Sequence, residues 1–255
     1  MSLKLVECPE TKIEYSYFDP SLELTNLNET YKLIEYIFYR NNIIFDKKVI
    51  VDLGCGWGAN TMLIACGFVK SGAFQVPKQV VGVDYNERDI KRATSFSKHL
   101  TNIGFICHDI TKPFPFDDDS VDIFVSTYTL HNLDNDQKRR VFKEVVRTLK
   151  HKGFFIYIDV LFDRESQRYA ILQKEILEKM WRTEAADVGP NEMETLLKVH
   201  LNPKDPFSLI FTGEKEYPIT ITEAQRLGEQ EKLKVLSITS VKGLVCCKRI
   251  MFTKI

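Results

Sequence analysis

Asp52-Leu53-Gly54-Cys55-Gly56-Trp57-Gly58 follows the apolar run Lys48-Val49-Ile50-Val51, and its reading decides the fold. A buried strand that ends in an acid and continues into glycines at alternate positions lets the main chain turn sharply. It also lets the backbone come up against a ligand where any Cβ would collide. The loop therefore reads as a ligand cradle at the end of a first strand, Lys48 to Leu53.

Working outward, Gln79 to Asp84 is another continuous Val-rich run closing on an acid, followed by a helix over about Glu87 to His99. Ile103 to His108 and Ser120 to Ser126 read as the third and fourth strands. A helix over Asn135 to Leu149 carries the stripe Val141, Phe142, Val145, Val146 and Leu149, with Asn135 or Asp136 as its cap. Phe154 to Val160 is the fifth strand. Strands that are apolar throughout, separated by helices, require a parallel sheet covered on both faces and right-handed crossovers. Ligands then bind at the carboxyl ends of the strands.

Upstream, Leu33, Ile34, Ile37 and Phe38 draw one helical stripe from Thr30. After Val160 the rhythm changes to helices near Arg164 to Trp181 and Glu192 to His200, then a Pro-containing stretch to Tyr217. Thr222 with Gln225 fits a capping box for a helix to Glu231. Leu233 to Val241 and Leu244 to Phe252 read as strands joined by Lys242-Gly243, a link short enough to make them antiparallel. The expectation is an α/β, doubly wound, Rossmann-like seven-stranded sheet, mostly parallel with an antiparallel C-terminal strand. It forms a single domain over 1–255: an N-terminal helical cap (1–47), a cofactor-binding core (48–160), a lid insertion (161–221) and a C-terminal helix and strands (222–255).

Of 255 residues, 35 are basic and 35 acidic, so no global field draws the protein to nucleic acid or to an anionic membrane. No signal-peptide core or bilayer-length apolar run is visible, and a cytoplasmic location is expected. Cys8, Cys55, Cys66, Cys107, Cys246 and Cys247 lack paired metal-ligand spacing, so neither a metal site nor a disulfide framework is expected.

The acid-x-Gly-x-Gly-x-Gly loop, the acids after the second and third strands, and the antiparallel terminal pair together resemble the class I S-adenosylmethionine-dependent methyltransferases. The small-molecule branch is nearest, through Phe116-Asp117-Asp118-Asp119-Ser120-Val121-Asp122, Leu130-His131-Asn132-Leu133 and Arg147-Thr148-Leu149-Lys150-His151-Lys152-Gly153. The resemblance covers residues 48–160 and, in outline, the C-terminal strands. It implies S-adenosyl-L-methionine as cofactor and S-adenosyl-L-homocysteine as product. It implies Asp52, Gly54, Cys55, Gly56 and Gly58 around the amino-acid end, Asp84 at the ribose, Asp109 and Ile110 at the adenine, and Tyr85 and Ser126 as further cofactor-binding residues. It places His131 and Tyr128 at the point of methyl transfer, as base or as substrate-orienting groups, with His131 as a helix-capping or packing residue the competing reading. Trp57 reads equally as a pocket wall or as helix packing.

The resembling family leaves the acceptor open. A small molecule is favoured, with protein or RNA not excluded, and the oligomeric state is undetermined. No Asn/Asp-Pro-Pro-aromatic segment or Pro-Cys dipeptide points to a nucleic-acid base. The aromatics Tyr15, Tyr17, Phe18, Tyr169, Trp181 and Phe207 are candidates to close a pocket over the substrate. Two other functions compete: a cofactor-binding but catalytically idle partner protein, and an NAD(P)-dependent oxidoreductase. Against the latter stand Asp52, a third glycine one place early, and the Asp109 segment.

Overall fold

β1 (Val49–Leu53) is buried from Ile50 onward because it runs through the middle of the sheet, paired in parallel with a strand on either side. The computed structural model describes residues 46–70, 73–162, 219–241 and 244–255. The expected N-terminal cap, the helices near Arg164 and Glu192, the candidate pocket aromatics at 15–18, 169, 181 and 207, and the Lys242-Gly243 link lie outside them.

The chain continues through α1 (Ala59–Cys66), β2 (Phe68–Lys70), β3 (Ala73–Gln75), β4 (Gln79–Asp84), α2 (Glu87–Phe96), β5 (Ile103–Cys107) and β6 (Val121–Thr127). It then makes a 3₁₀ turn (Leu130–Asn132) and forms α3 (Asn135–Thr148) and β7 (Leu149–Phe162). After residues 163–218 come β8 (Ile219–Thr220), α4 (Ile221–Gln230), β9 (Leu233–Val241) and β10 (Leu244–Lys254). The main sheet runs β5-β4-β1-β6-β7-β10-β9, with β10 antiparallel to both neighbours. The expected seven-stranded sheet with its antiparallel terminal strand is present. The strand order reverses between β1 and β6, the point at which sheets of this kind open a crevice at the carboxyl ends of their strands.

Some details depart from the sequence reading. The hairpin β2–β3 was not expected and stands as a separate two-stranded sheet. β7 begins at Leu149 rather than Phe154, directly from the helix, with a register irregularity opposite Val121 to Ile123. Two-residue β8 adds an eighth strand, pairing Leu161 with Ile219 and Phe162 with Thr220. The α3 cap is Asp134, whose carboxylate accepts the Gln137 N–H while the Gln137 side chain accepts the Asp134 N–H. The α4 capping box is Thr220 with Glu223, two residues ahead of the expected pair. Cys55 and Cys66 are free thiols, whereas Cys107 is disulfide-bonded.

The amphipathic face of α3 packs on the β7 side of the sheet. Phe142 meets the rings of Phe155, Tyr157 and Phe252 edge-on at 5.3, 6.1 and 5.7 Å, while Phe155 stacks on Phe252 at 5.9 Å. All four side chains are buried. At the other end of the sheet, the Asp122 carboxylate takes Lys48, Lys150 and the Val49 N–H, which ties the entry of β1 to β6 and β7. Arg147 fastens the 114–118 loop to α3 through Glu144, Asp118 and the carbonyls of Phe114 and Phe116.

Truncating Phe142 to Ala removes the ring against which three others pack. The expected loss, read from urea unfolding, is about 3–5 kcal/mol.

Candidate cofactor site and buried histidine pair

The loop between β1 and α1 takes the conformation its glycines permit. Gly54, Gly56 and Gly58 have φ of 71°, 50° and 83°, all in the left-handed region. Their surroundings differ. A Cβ on Gly54 would stand 2.1–2.7 Å from Thr129 side-chain atoms, and one on Gly58 would enter the Phe105 ring at 2.6 Å. A Cβ on Gly56 would meet nothing within 4 Å. Two of the glycines therefore let the protein close on itself, and the middle one faces open space.

Hydrogen bonds set the loop across strand tips. The Gly56 N–H donates to Asp84 Oδ2 at 2.9 Å, and the Asn86 N–H donates to Asp84 Oδ1 at 2.9 Å. Gly54 and Cys55 both donate to the Val83 carbonyl, and the Thr129 hydroxyl donates to the Gly54 carbonyl at 3.2 Å. The ends of β1, β4 and β6 are thus joined through one loop.

Asp52 is 2% exposed and accepts the Thr61 hydroxyl at 2.7 Å. Burial pushes its carboxyl up to about 6; the Thr61 bond opposes the rise and the Asp84 charge adds to it. Burial likewise raises Asp84, against the pull of its backbone N–H donors. The Cys55 thiol is pushed well up, by burial first and then by the two acids, so it is no nucleophile at neutral pH.

The remaining expected site residues fall around this crevice. Ser126, opposite Leu53 in register, is fully buried and its Oγ has no hydrogen-bond partner. Tyr85 is exposed beside Asp84. Asp109 is exposed as well; its Oδ1 accepts the N–H and hydroxyl of Thr111, which folds the loop after β5 over buried Ile110. Trp57 packs as a helix partner, edge-on to Phe96 at 6.4 Å with the Arg92 guanidinium 5.3 Å from its ring centre.

Beyond β6 the chain turns abruptly. Tyr128 has a φ of 50°, a strained value for a non-glycine, and its N–H is held by the Ile158 carbonyl at 2.9 Å. His131 follows in the 3₁₀ turn, buried, with Nδ1 2.7 Å from Asp159 Oδ1 and its backbone N–H 3.1 Å from Asp159 Oδ2. Sequence reasoning missed Asp159, Thr61 and Thr129. The available signal for Asp159 was an acid interrupting the apolar run Phe154 to Phe162, since a carboxylate inside a buried strand requires a partner. Among the described residues no group of three or more His, Cys, Asp and Glu side chains gathers as a metal site. No helix among them is long and apolar enough to cross a membrane.

A doubly wound sheet with a terminal antiparallel strand and acids at the tips of β1 and β4 is an arrangement suited to holding a nucleoside-bearing cofactor at the strand tips. Residues 51–157 match the family model described as a methyltransferase domain. The phosphoethanolamine N-methyltransferase of Triticum aestivum is 26% identical over 119 residues, which are 46% of this chain and 22% of that protein. Protein arginine N-methyltransferase 1 of Saccharomyces cerevisiae is 29% identical over 109 residues, 40% of this chain and 28% of that one. The chain thus spans less than a third of either relative. The crystal structure of an S-adenosylmethionine-dependent methyltransferase from Methanosarcina mazei superposes with a TM-score of 0.56 at 18% identity, covering 84% of this chain and 96% of that one. Likeness at that identity speaks for the fold. With the family match over residues 51–157, it makes that segment similar to the class I S-adenosylmethionine-dependent methyltransferases. The residues present fit that cofactor: the space over Gly56 is a cradle a side chain would narrow, and Ser126 Oγ is a buried polar atom awaiting a partner.

Alanine at positions 54 and 56 separates the two kinds of glycine. Gly54→Ala should cost about 2–4 kcal/mol in urea unfolding, through both backbone strain and collision with Thr129. Gly56→Ala should cost only about 1 kcal/mol, the strain alone.

Proposed function

We propose that the protein transfers a methyl group from S-adenosyl-L-methionine to a small-molecule acceptor. The observation that carries this reading is the glycine loop at the switch point, whose open main chain lies beside the buried Asp52, the half-buried Asp84 and an unpartnered serine hydroxyl. In this reading the 54–58 loop, Cys55 included, surrounds the amino-acid end of the cofactor, and Asp52 meets its ammonium group. Asp84 keeps lone pairs beyond its two N–H donors for the ribose hydroxyls. Tyr85 borders the adenine, Asp109 Oδ2 accepts from its amino group, and the Ile110 N–H lies at the ring. Ser126 satisfies its hydroxyl on the bound molecule.

The cofactor supplies a methyl already activated on a sulfonium, so little covalent machinery is asked of the protein. Its residues must hold the acceptor in line and keep water out. Tyr128 and His131, carried past the end of β6, stand where the acceptor would meet the methyl. A balanced surface charge favours a small acceptor over a nucleic acid, and the wheat relative is named for a small phosphorylated amine.

The test is transfer of labelled methyl from S-adenosyl-L-methionine into fractionated cell extract. Label in the small-molecule fraction is expected. Label confined to protein, as the name of the yeast relative would suggest, or to RNA would overturn the acceptor assignment, and label nowhere would leave an idle cofactor-binding protein. S-adenosyl-L-homocysteine at a hundred times its Kd should add about 2.7 kcal/mol of stability, and a nicotinamide dinucleotide none. Gly56→Ala should weaken that binding at least tenfold.

The binding should also depend on pH. Asp52 titrates near 6 in the free protein, and an ammonium partner favours its ionised form, so the proton must leave on binding. Affinity for S-adenosyl-L-homocysteine should therefore rise about tenfold from pH 5 to pH 7. The rise should flatten in Asp52→Asn, as isothermal titration at both pH values would read.

A further inference from the structure

His131 does not stand alone at the acceptor end of the crevice. Both oxygens of Asp159 are turned to it, one on the backbone N–H and one on Nδ1. Asp159 is fully buried in β7, and the Tyr157 hydroxyl also donates to it. That bond, together with burial and the Asp159 charge, raises the Tyr157 phenol well above its ordinary range, with burial the largest cause. Other charges approach from each packed element. Lys138 of α3, itself fully buried, donates to the Leu133 carbonyl and feels Asp159, Asp134 and Glu223 of α4. Burial pulls its ammonium down to about 8 despite those three acids. Lys248 of β10 lies directly across from Asp159 in register.

This arrangement exceeds what packing an imidazole requires. A carboxylate only accepts, and here it receives a phenol, an amide and a ring nitrogen, so the short contact at Nδ1 must be an N–H donated by the histidine. A neutral imidazole protonated on Nδ1 has its lone pair on Nε2. The carboxylate also favours the imidazolium that forms when Nε2 takes a proton.

We propose that Asp159 is a positioning residue that fixes His131 with its proton on Nδ1, making Nε2 the atom that takes a proton from the acceptor as it is methylated. The inference rests on the methyl-transfer reading and deepens it, because it specifies an acceptor that loses a proton: a hydroxyl, or a primary or secondary amine. The acceptor's X–H bond breaks and its proton passes to Nε2. The electron pair of X forms the new bond to carbon, and sulfur keeps the pair of the broken C–S bond. Tertiary amines and thioethers, which have no proton to give, would not need such a dyad.

The experiment is a long-range proton–nitrogen correlation spectrum of the full chain carrying nitrogen-15 in its histidine rings, recorded across pH. Wild type should show neutral His131 as the Nδ1–H form. Asp159→Asn leaves one acceptor oxygen for two His131 donors and the Tyr157 hydroxyl, so the Nδ1–H population should fall and the midpoint of the His131 titration should drop by about one pH unit or more. With the extract fraction that accepts label, Asp159→Asn should slow transfer about 10–100-fold and move the acid limb of the rate profile by the same shift. Its melting-temperature gain with S-adenosyl-L-homocysteine should stay at the wild-type value. Wild-type His131 protonated on Nε2 would overturn the proposal even if no Asp159 variant folds, and so would an Asp159→Asn spectrum and rate like the wild type. A protein with the Nδ1–H form that methylates nothing would overturn the methyl-transfer reading, and the proton-taking role with it, while the orientation of His131 by Asp159 would stand.

Discussion

One carboxylate ties the two halves of the crevice together. Asp84, at the tip of β4, receives the Gly56 N–H on one oxygen and the Asn86 N–H on the other. The first bond crosses from one βα unit to the next, and the second begins the turn into α2, where Asn86 caps the helix through Arg88 and Asp89. Without it the Gly56 N–H would lose its acceptor, and the loop would be tied to β4 only through Gly54 and Cys55 on the Val83 carbonyl. With it, the loop is held in the left-handed conformation that the open face over Gly56 requires.

That tether has a cost which falls on the neighbouring acid. Asp52 is sealed beneath the loop with one hydroxyl for company, and Asp84 stands close enough to add its own repulsion. A raised carboxyl pKa in the folded state means that stability is fullest while the group is protonated. It declines as pH rises from about 4 to about 6, by roughly 3 kcal/mol. At neutral pH the protein therefore carries an unsatisfied charge at the place where the proposed ligand brings a cation.

The parts of this molecule legible in its sequence were those governed by periodicity and by backbone need. Strands β1, β4, β5 and β6 announce themselves as short apolar runs, and Gly54, Gly56 and Gly58 as positions where the chain must turn. What stayed hidden was pairing between distant residues. Nothing local to Asp159 says that its partner is His131, and Thr61 looks like any helical threonine until the sheet brings Asp52 above it. The α4 cap shows a different difficulty: Thr220-Ile221-Thr222-Glu223-Ala224-Gln225 contains two overlapping capping boxes. Burial of Ala224 and Leu227 against the sheet, rather than cap chemistry, selects the first. The β2–β3 hairpin, three residues a side, is too short for any alternation to emerge.

The two-residue strand β8 has an evolutionary implication. By pairing with the last residues of β7, it makes the chain leave and re-enter the scaffold at adjacent positions, with residues 163–218 between them. Closing a longer or shorter segment across a fixed gap changes the entropy only logarithmically. Such a junction tolerates exchange of what it brackets, so lineages can diversify this stretch while the strands that carry the glycine loop stay as they were.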